Sequence, residues 1–370
     1  MVRTEDRLMS IDALRGFDMF FITGGAALIS SLCIAFGCRD GWLCMQMRHA
    51  TWVGFTHHDT IFPLFLFLAG VSWPFSYGSQ LAKGRTMWQV HRKVLLRMLV
   101  LTLIGFSFGG ILEFNPQFRI PSVLGFIGIS WATAAILYIH IRKTWIRIAM
   151  SGVVLLGYWA ILNFIAAPDA PAGVDSFSRE GNIISWLDRK FIPNHIYVKG
   201  VYDPETFFTF FNGFALAVFG TCIGDVLKSG RWTPKVKTGI VALSALGFLV
   251  ADMFFIFVLG DVVVKRLWTS SFVLSAAAYS AAMLAIFYWI IDVRGWRRWS
   301  FYFRVIGMNS ILIYVMQVIG AIKPVHQFLF GGLIEWSGKP WSSVISWFTY
   351  CVIMWLFMYA MYRKKVFLKV

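Results

Sequence analysis

Runs of about 20 apolar residues recur along this chain, and they decide what it can fold into. A helix rises about 1.5 Å per residue, so about 20 residues cross the hydrocarbon core of a bilayer. Of the 370 residues, 58% are hydrophobic and 14% charged, against about 25% charged in a soluble globular protein. The expected fold is therefore all-α: a polytopic membrane protein of about ten transmembrane helices. The runs cover approximately 14–36, 60–78, 94–113, 121–140, 145–166, 207–227, 237–258, 269–291, 301–322 and 341–361. They form a single transmembrane domain over 1–370, with one long loop at about 167–206.

Charge sets the expected orientation. With the N-terminus inside, the inner segments hold 23 of the 34 Lys and Arg residues. They run from Arg3, Arg7 and Arg15, through Arg142, Lys143 and Arg147, to Arg363, Lys364, Lys365 and Lys369. Cytoplasmic loops carry such an excess, so both termini are expected in the cytoplasm. The net charge of +16 is then matched to anionic membrane lipids, and no nucleic acid is expected as a partner. The N-terminal stretch keeps its charges through Arg15 and Asp18 without a small-residue cleavage site, so it is expected to be no signal peptide. The five cysteines form no CxxC pair and no zinc spacing. Cys38 and Cys44 share one outer loop and are close enough in sequence for a disulfide. Cys33, Cys222 and Cys351 sit in apolar runs and read as packing residues.

Chemistry concentrates in Met47–Pro63, MRHATWVGFTHHDTIFP, which holds three of the seven histidines. His49, His57, His58 and Asp59 can each move a proton or bind a metal, and Trp52 and Phe55 supply apolar surface beside them. Asp59 is placed to cap the second span or to hold a histidine in one tautomer. No HExxH-like spacing supports a metal, and none is expected. Pro63 falls within the first turn of that span.

Ionisable groups inside spans are costly and are functional candidates by default. Asp12 and Arg15 share a helix face three residues apart. Two readings fit: a plain interfacial ion pair, or an Arg15 fork that holds a phosphate or carboxylate while Asp12 orients it. Asp18, a turn deeper, needs a partner. Asn309 near a span start either cross-links helices or lines a channel. The loop at 167–206 mixes Phe177, Trp186, Phe191, His195, Tyr197 and Tyr202 with Asp203 and Glu205. It reads as an ordered loop that lines a sugar or peptide site, or as one packed on the outer membrane face.

Several of these pieces resemble one family. They are Arg7–Gly16 (RLMSIDALRG), Arg48–Phe55 (RHATWVGF), Asp59–Phe65 (DTIFPLF), Arg119–Leu124 (RIPSVL), Tyr202–Glu205 (YDPE), Lys265–Leu274 (KRLWTSSFVL) and Gly307–Asn309 (GMN). In that order they resemble the heparan-alpha-glucosaminide N-acetyltransferase family of transmembrane acetyltransferases. The resemblance implies an acetyl-CoA donor on the cytoplasmic side and an extracytoplasmic amino sugar or glycan as acceptor. His49 matches the family's catalytic histidine; on the residues alone, Asp59 or a backbone carbonyl is placed to orient its ring. Thr23 stands nearest to an assisting asparagine of the family. Arg15 belongs to a family motif, and Asp12, Arg15, Lys93 and Arg97 are the candidate contacts for CoA. Trp52, His57, His58, Asp203, Glu205 and Asn309 are the candidate contacts for the acceptor. The resemblance also suggests a homodimer. Lysosomal members carry an extra luminal domain and one extra span, so this chain is expected to be a bacterial-type member in the cytoplasmic membrane.

The chain departs from the family at Gly125-Phe126, where Gln-Arg is usual, and at Thr206, where glycine follows DPE. Two other functions share the same spans and loop: a glycan or lipid-linked sugar transporter without acyl transfer, and a membrane O-acyltransferase.

Overall fold

A computed structural model describes residues 8–114, 116–171, 173–198, 200–206 and 208–368. Arg3, Arg7 and Lys369, used above for orientation, lie outside the described residues. The helices in chain order are α1 (Met9–Phe20), α2 (Ala26–Ala35), α3 (Trp42–Gln46), α4 (His57–Ala82), α5 (Met87–Ser107), α6 (Val123–His140), α7 (Thr144–Phe164) and α8 (Ile183–Phe191). They continue with α9 (Phe210–Lys228), α10 (Pro234–Phe257), α11 (Ser270–Phe287), α12 (Phe301–Gly307), α13 (Ser310–Val318), α14 (Lys323–Trp336) and α15 (Trp341–Arg363).

Among the described residues, eight helical stretches are long and apolar enough to cross a membrane, or nine if the bent pair α12–α13 counts as one span. The chain is thus an all-α, multi-pass membrane protein. The run at 94–113 falls on α5, which brings Arg92, Lys93 and Arg97 with it and is not among the eight. The run at 301–322 is broken, with a 72° bend between α12 and α13. Residues after it, read from sequence as a connection, form α14 with Pro324 in its first turn. The second span begins at His57, earlier than hydropathy placed it, because the capping side chains lie outside the apolar run. Pro63 therefore sits in the second turn.

The chain divides into two compact units. One comprises Met1–Thr51, Thr56–Phe65 and Met283–Lys369. Here α1 and α12 pack backbone to backbone. A Cβ built at Gly16 collides with the Phe303 carbonyl oxygen, and one at Gly307 collides with that of Asp12. Two of the family-like motifs are thus halves of one helix contact, and the small residue is required on each side. Asp292 closes the exposed end of α1. Its carboxylate accepts from the Met9 and Ser10 N–H groups at 3.3 and 3.1 Å, donors that a helix start leaves unpaired. Met19, Val305, Ile306, Ile313, Met316, Tyr350 and Met354 make the buried core.

Within the same unit, the first span is not one straight helix. A π-turn, Phe21–Gly25, separates α1 from α2, and Gly24 holds φ at 117°. Only glycine adopts that conformation without steric strain. Asn309 lies between α12 and α13. It donates to Val366 O at 3.0 Å and accepts from Leu368 N at 2.9 Å, so its amide holds the C-terminal segment.

The other unit comprises Trp52–Phe55 and Leu66–Ala282. Its centre is α9, against which α6, α7 and α10 pack. Arg147, counted above as an inner-loop charge, is buried on α7 and pairs with Asp225 and with Thr221 Oγ1 at 2.8 Å. Outward faces of α10, including Leu243, Leu246, Val250 and Phe257, are exposed apolar surface suited to lipid. The long loop is ordered around α8, which Asn182 caps through Ser185 N at 2.7 Å.

Candidate active site

The local sequence Thr56-His57-His58-Asp59 explains how the site forms. Threonine followed three residues later by an acid is a helix-start signal. Asp59 Oδ2 accepts from Thr56 N at 3.3 Å and from Ala50 N at 3.1 Å. Thr56 Oγ1 lies 2.9 Å from the same oxygen and 2.7 Å from Arg48 O, and its single proton serves one of them at a time. Gln46 adds a second cap, its Oε1 accepting from His57 N at 2.8 Å. Helix nucleation and site geometry thus use the same carboxylate.

The other oxygen, Asp59 Oδ1, lies 2.7 Å from His49 Nδ1. Asp59 is 1% exposed and the His49 side chain 46%. In the neutral ring, the Nδ1 atom that faces the carboxylate carries the proton, and the lone pair is on Nε2. Such a histidine can remove a proton or attack a carbonyl carbon.

Beside this pair, the rings of His49 and His58 lie 4.4 Å apart. His57 points elsewhere, packed edge-on against Phe21 at 4.2 Å between ring centroids. His58 borders a cavity of about 320 Å3 with Phe21, Ile22, Met47, Gln317 and Trp347. Gly24 also lines it, so the π-turn shapes one wall. Thr23 sits in that turn, buried, with Oγ1 3.1 Å from Phe20 O. Gln317 was not legible as a site residue in the sequence. A single glutamine in an apolar run carries no motif.

Asp12 is buried on α1 and Arg15 is half-buried on the same helix. Lys93 and Arg97 belong to the other unit, on α5, where Lys93 is exposed and Arg97 lies 4.4 Å over the Trp131 ring. All five cysteines are unbonded. Cys38 is exposed, whereas Cys44 is buried with Arg48 Nη2 3.4 Å from its sulfur. Among the described residues, no group of three His, Cys, Asp or Glu is arranged to hold a metal.

The unit that contains the long loop has its own polar cluster. Arg119 Nε donates to Asp203 Oδ2 at 2.7 Å, and its Nη2 pairs with both Asp203 and Glu205. Asp203 also accepts from the N–H groups of Tyr197 and Glu205 at 2.8 and 2.9 Å. The RIPSVL and YDPE motifs are therefore two ends of one partly buried clamp, with Asp203 at its buried centre. Burial disfavours the Arg119 charge, but Asp203 and Glu205 outweigh it and hold the guanidinium above its ordinary pKa. Burial and the Asp203 charge raise Glu205. Asp188 on α8 is pushed up to about 8 by burial first and by Asp203 second.

Trp52 joins this loop. Its indole N–H donates to Phe177 O at 2.8 Å, and its ring meets Tyr202 edge-on at 5.2 Å. Tyr202 OH in turn accepts from Arg266 of the KRLWTSSFVL motif. At the departure from the family pattern, Phe126 lies 4.4 Å from the Trp268 ring, so an aromatic contact occupies the position of the usual arginine.

Comparison with known proteins finds similarity over nearly the whole chain. Human heparan-alpha-glucosaminide N-acetyltransferase is 26% identical over an alignment 440 positions long, gaps included, covering 98% of this chain and 60% of that protein. The mouse protein of the same name is 24% identical over an alignment 426 positions long, covering 99% of this chain and 62% of that protein. The family resemblance holds along the whole chain. It spans about 60% of the length of the curated relatives it matches. No protein-family model matches.

Proposed function

We propose that this protein is a transmembrane acetyltransferase that carries an acetyl group from cytoplasmic acetyl-CoA to an amino sugar or glycan on the extracytoplasmic side. The observation that carries this reading is the His49–Asp59 pair, a half-exposed imidazole held by a buried carboxylate at 2.7 Å, in a chain similar throughout to two N-acetyltransferases. Both termini lie in the cytoplasm in this reading, following the Lys and Arg excess, and the membrane is the inner membrane of a bacterium.

The chemistry needs a neutral amine nucleophile and a place for the charge that develops on the thioester oxygen. In one route, His49 Nε2 removes the amine proton as the amine nitrogen bonds to the acyl carbon. The C–S bond then breaks and CoA leaves as thiolate. In the other, Nε2 itself bonds to the acyl carbon, CoA thiolate leaves, and the amine then displaces the imidazole, whose freed Nε2 takes the amine proton. Asp59 keeps the proton on Nδ1 in both and stabilises the imidazolium that forms. Asp12, Arg15, Lys93 and Arg97 are assigned to CoA. Trp52, Asp203 and Glu205 shape the loop that receives the acceptor. Thr23 supports the site through the π-turn, and Asn309 acts by holding the C-terminal segment.

The deciding experiment is acetyl transfer from acetyl-CoA to glucosamine by detergent-purified protein, with His49→Ala beside wild type. Transfer that disappears in the variant supports the reading. Unchanged transfer by a folded His49→Ala protein overturns it. Acid quenching separates the routes, because acetyl trapped on His49 belongs only to the second.

A further inference from the structure

Two polar residues that line the cavity beside His58 have no role so far, Ser30 on α2 and Gln317 on α13, and Gln317 is the one held by a partner. Tyr350 on α15 donates its hydroxyl proton to Gln317 Oε1 at 2.7 Å. Tyr350 is itself fixed. It is 4% exposed, and its ring meets His326 at 5.5 Å and Trp347 at 5.8 Å between centroids, both edge-on. His326 is anchored in turn, with Nε2 2.9 Å from Thr349 Oγ1. With the carboxamide oxygen taken by Tyr350, the group left to serve the cavity is the NH2, which carries two donors and no acceptor.

Most of the remaining lining is apolar, from Phe21, Ile22, Met47 and Trp347. In surroundings of low polarity, an oriented N–H interacts more strongly with a carbonyl oxygen than it does in water. We propose that Gln317, oriented by Tyr350, donates a hydrogen bond to the carbonyl oxygen of the acyl thioester bound in this cavity. The inference rests on the acetyltransferase reading and adds to it a donor for the thioester oxygen. As the nucleophile bonds to the acyl carbon, the C=O electron pair moves to oxygen, where the Gln317 N–H meets it. The pair returns as the C–S bond breaks. Gln317 touches the reacting group, and Tyr350 is a positioning residue.

The test uses the full-length protein in detergent, with acetyl-CoA and glucosamine, and compares wild type, Gln317→Leu, Gln317→Glu, Tyr350→Phe and the Gln317→Leu/Tyr350→Phe pair. A single lost donor to a developing oxyanion lowers kcat by about 10²-fold. That loss is expected in both Gln317 variants, with the KM for acetyl-CoA within about threefold of wild type. Gln317→Glu keeps the side-chain shape and an acceptor for Tyr350, so it reports on the donor even if Gln317→Leu folds poorly. Tyr350→Phe is expected to lower kcat about fivefold, the worth of one hydrogen bond. The double variant is expected to be no slower than Gln317→Leu alone, because Tyr350 acts only through Gln317. Rates within twofold of wild type in Gln317→Glu, or losses that multiply in the double variant, overturn the proposal. Wild-type protein that neither binds nor turns over acetyl-CoA overturns the acetyltransferase reading itself, and this inference with it.

Discussion

His49 Nδ1 and Asp59 Oδ1 lie 2.7 Å apart, with the carboxylate 1% exposed and the imidazole side chain 46% exposed. A half-exposed ring is thus aimed by a group that solvent does not reach. Replacing Asp59 with Asn keeps the size but puts an N–H within reach of Nδ1, which favours the wrong tautomer. We expect Asp59→Asn to lower kcat for acetyl transfer by about 10²- to 10⁴-fold, with His49→Ala at background. Initial rates at saturating acetyl-CoA check this.

The Arg119 clamp predicts a loss of stability. Arg119→Ala leaves Asp203 and Glu205 buried without their cation, and such a change costs about 3–5 kcal/mol. Arg119→Lys is expected to recover only part of this, because one ammonium cannot reproduce the fork to two carboxylates. Thermal melts of the three proteins in detergent measure the order.

The same loop predicts a pH dependence. Asp188 holds its proton up to about pH 8 in the folded chain, but only to about pH 4 when unfolded. Between those values the folded state binds more protons than the unfolded state, so stability falls as pH rises. Glu205, also raised, acts in the same direction. Asp188→Asn is expected to flatten the slope of melting temperature against pH over this window and to raise stability at its alkaline end. An unchanged slope would remove Asp188 as its source.

Close approach of α1 and α12 makes a steric prediction. Gly16→Ala and Gly307→Ala each place a methyl group on a backbone carbonyl of the facing helix. Overpacking of this kind costs about 1–3 kcal/mol. Both variants are expected to melt earlier than wild type, whereas Gly152→Ala, which meets nothing within 4 Å, is expected to melt like it.

Elements whose signal is local were legible in the sequence. Most spans follow hydropathy, although the run on α5 is not among them, and His49 and Asp59 are ten residues apart beside a helix start. Residues whose partner is distant in sequence were not. Asp203 and Glu205 read as loop acids facing an acceptor, but Arg119, more than 80 residues earlier, holds both. Gln317 and Tyr350 look like incidental polar residues in apolar runs until α13 and α15 bring them together. The break between α12 and α13 was hidden because Met308 and Asn309 interrupt an apolar run too briefly to lower its average.

The unit that carries the dyad is discontinuous, built from the beginning of the chain and from Met283–Lys369. During synthesis, His49 and Asp59 leave the ribosome more than 250 residues before Gln317, and α1 emerges long before Asp292 can close its end. A nascent chain halted between these points carries the His49–Asp59 pair without Gln317, Trp347 or the cap on its first span. The order of translation therefore delays assembly of the site until nearly the whole polypeptide is in the membrane.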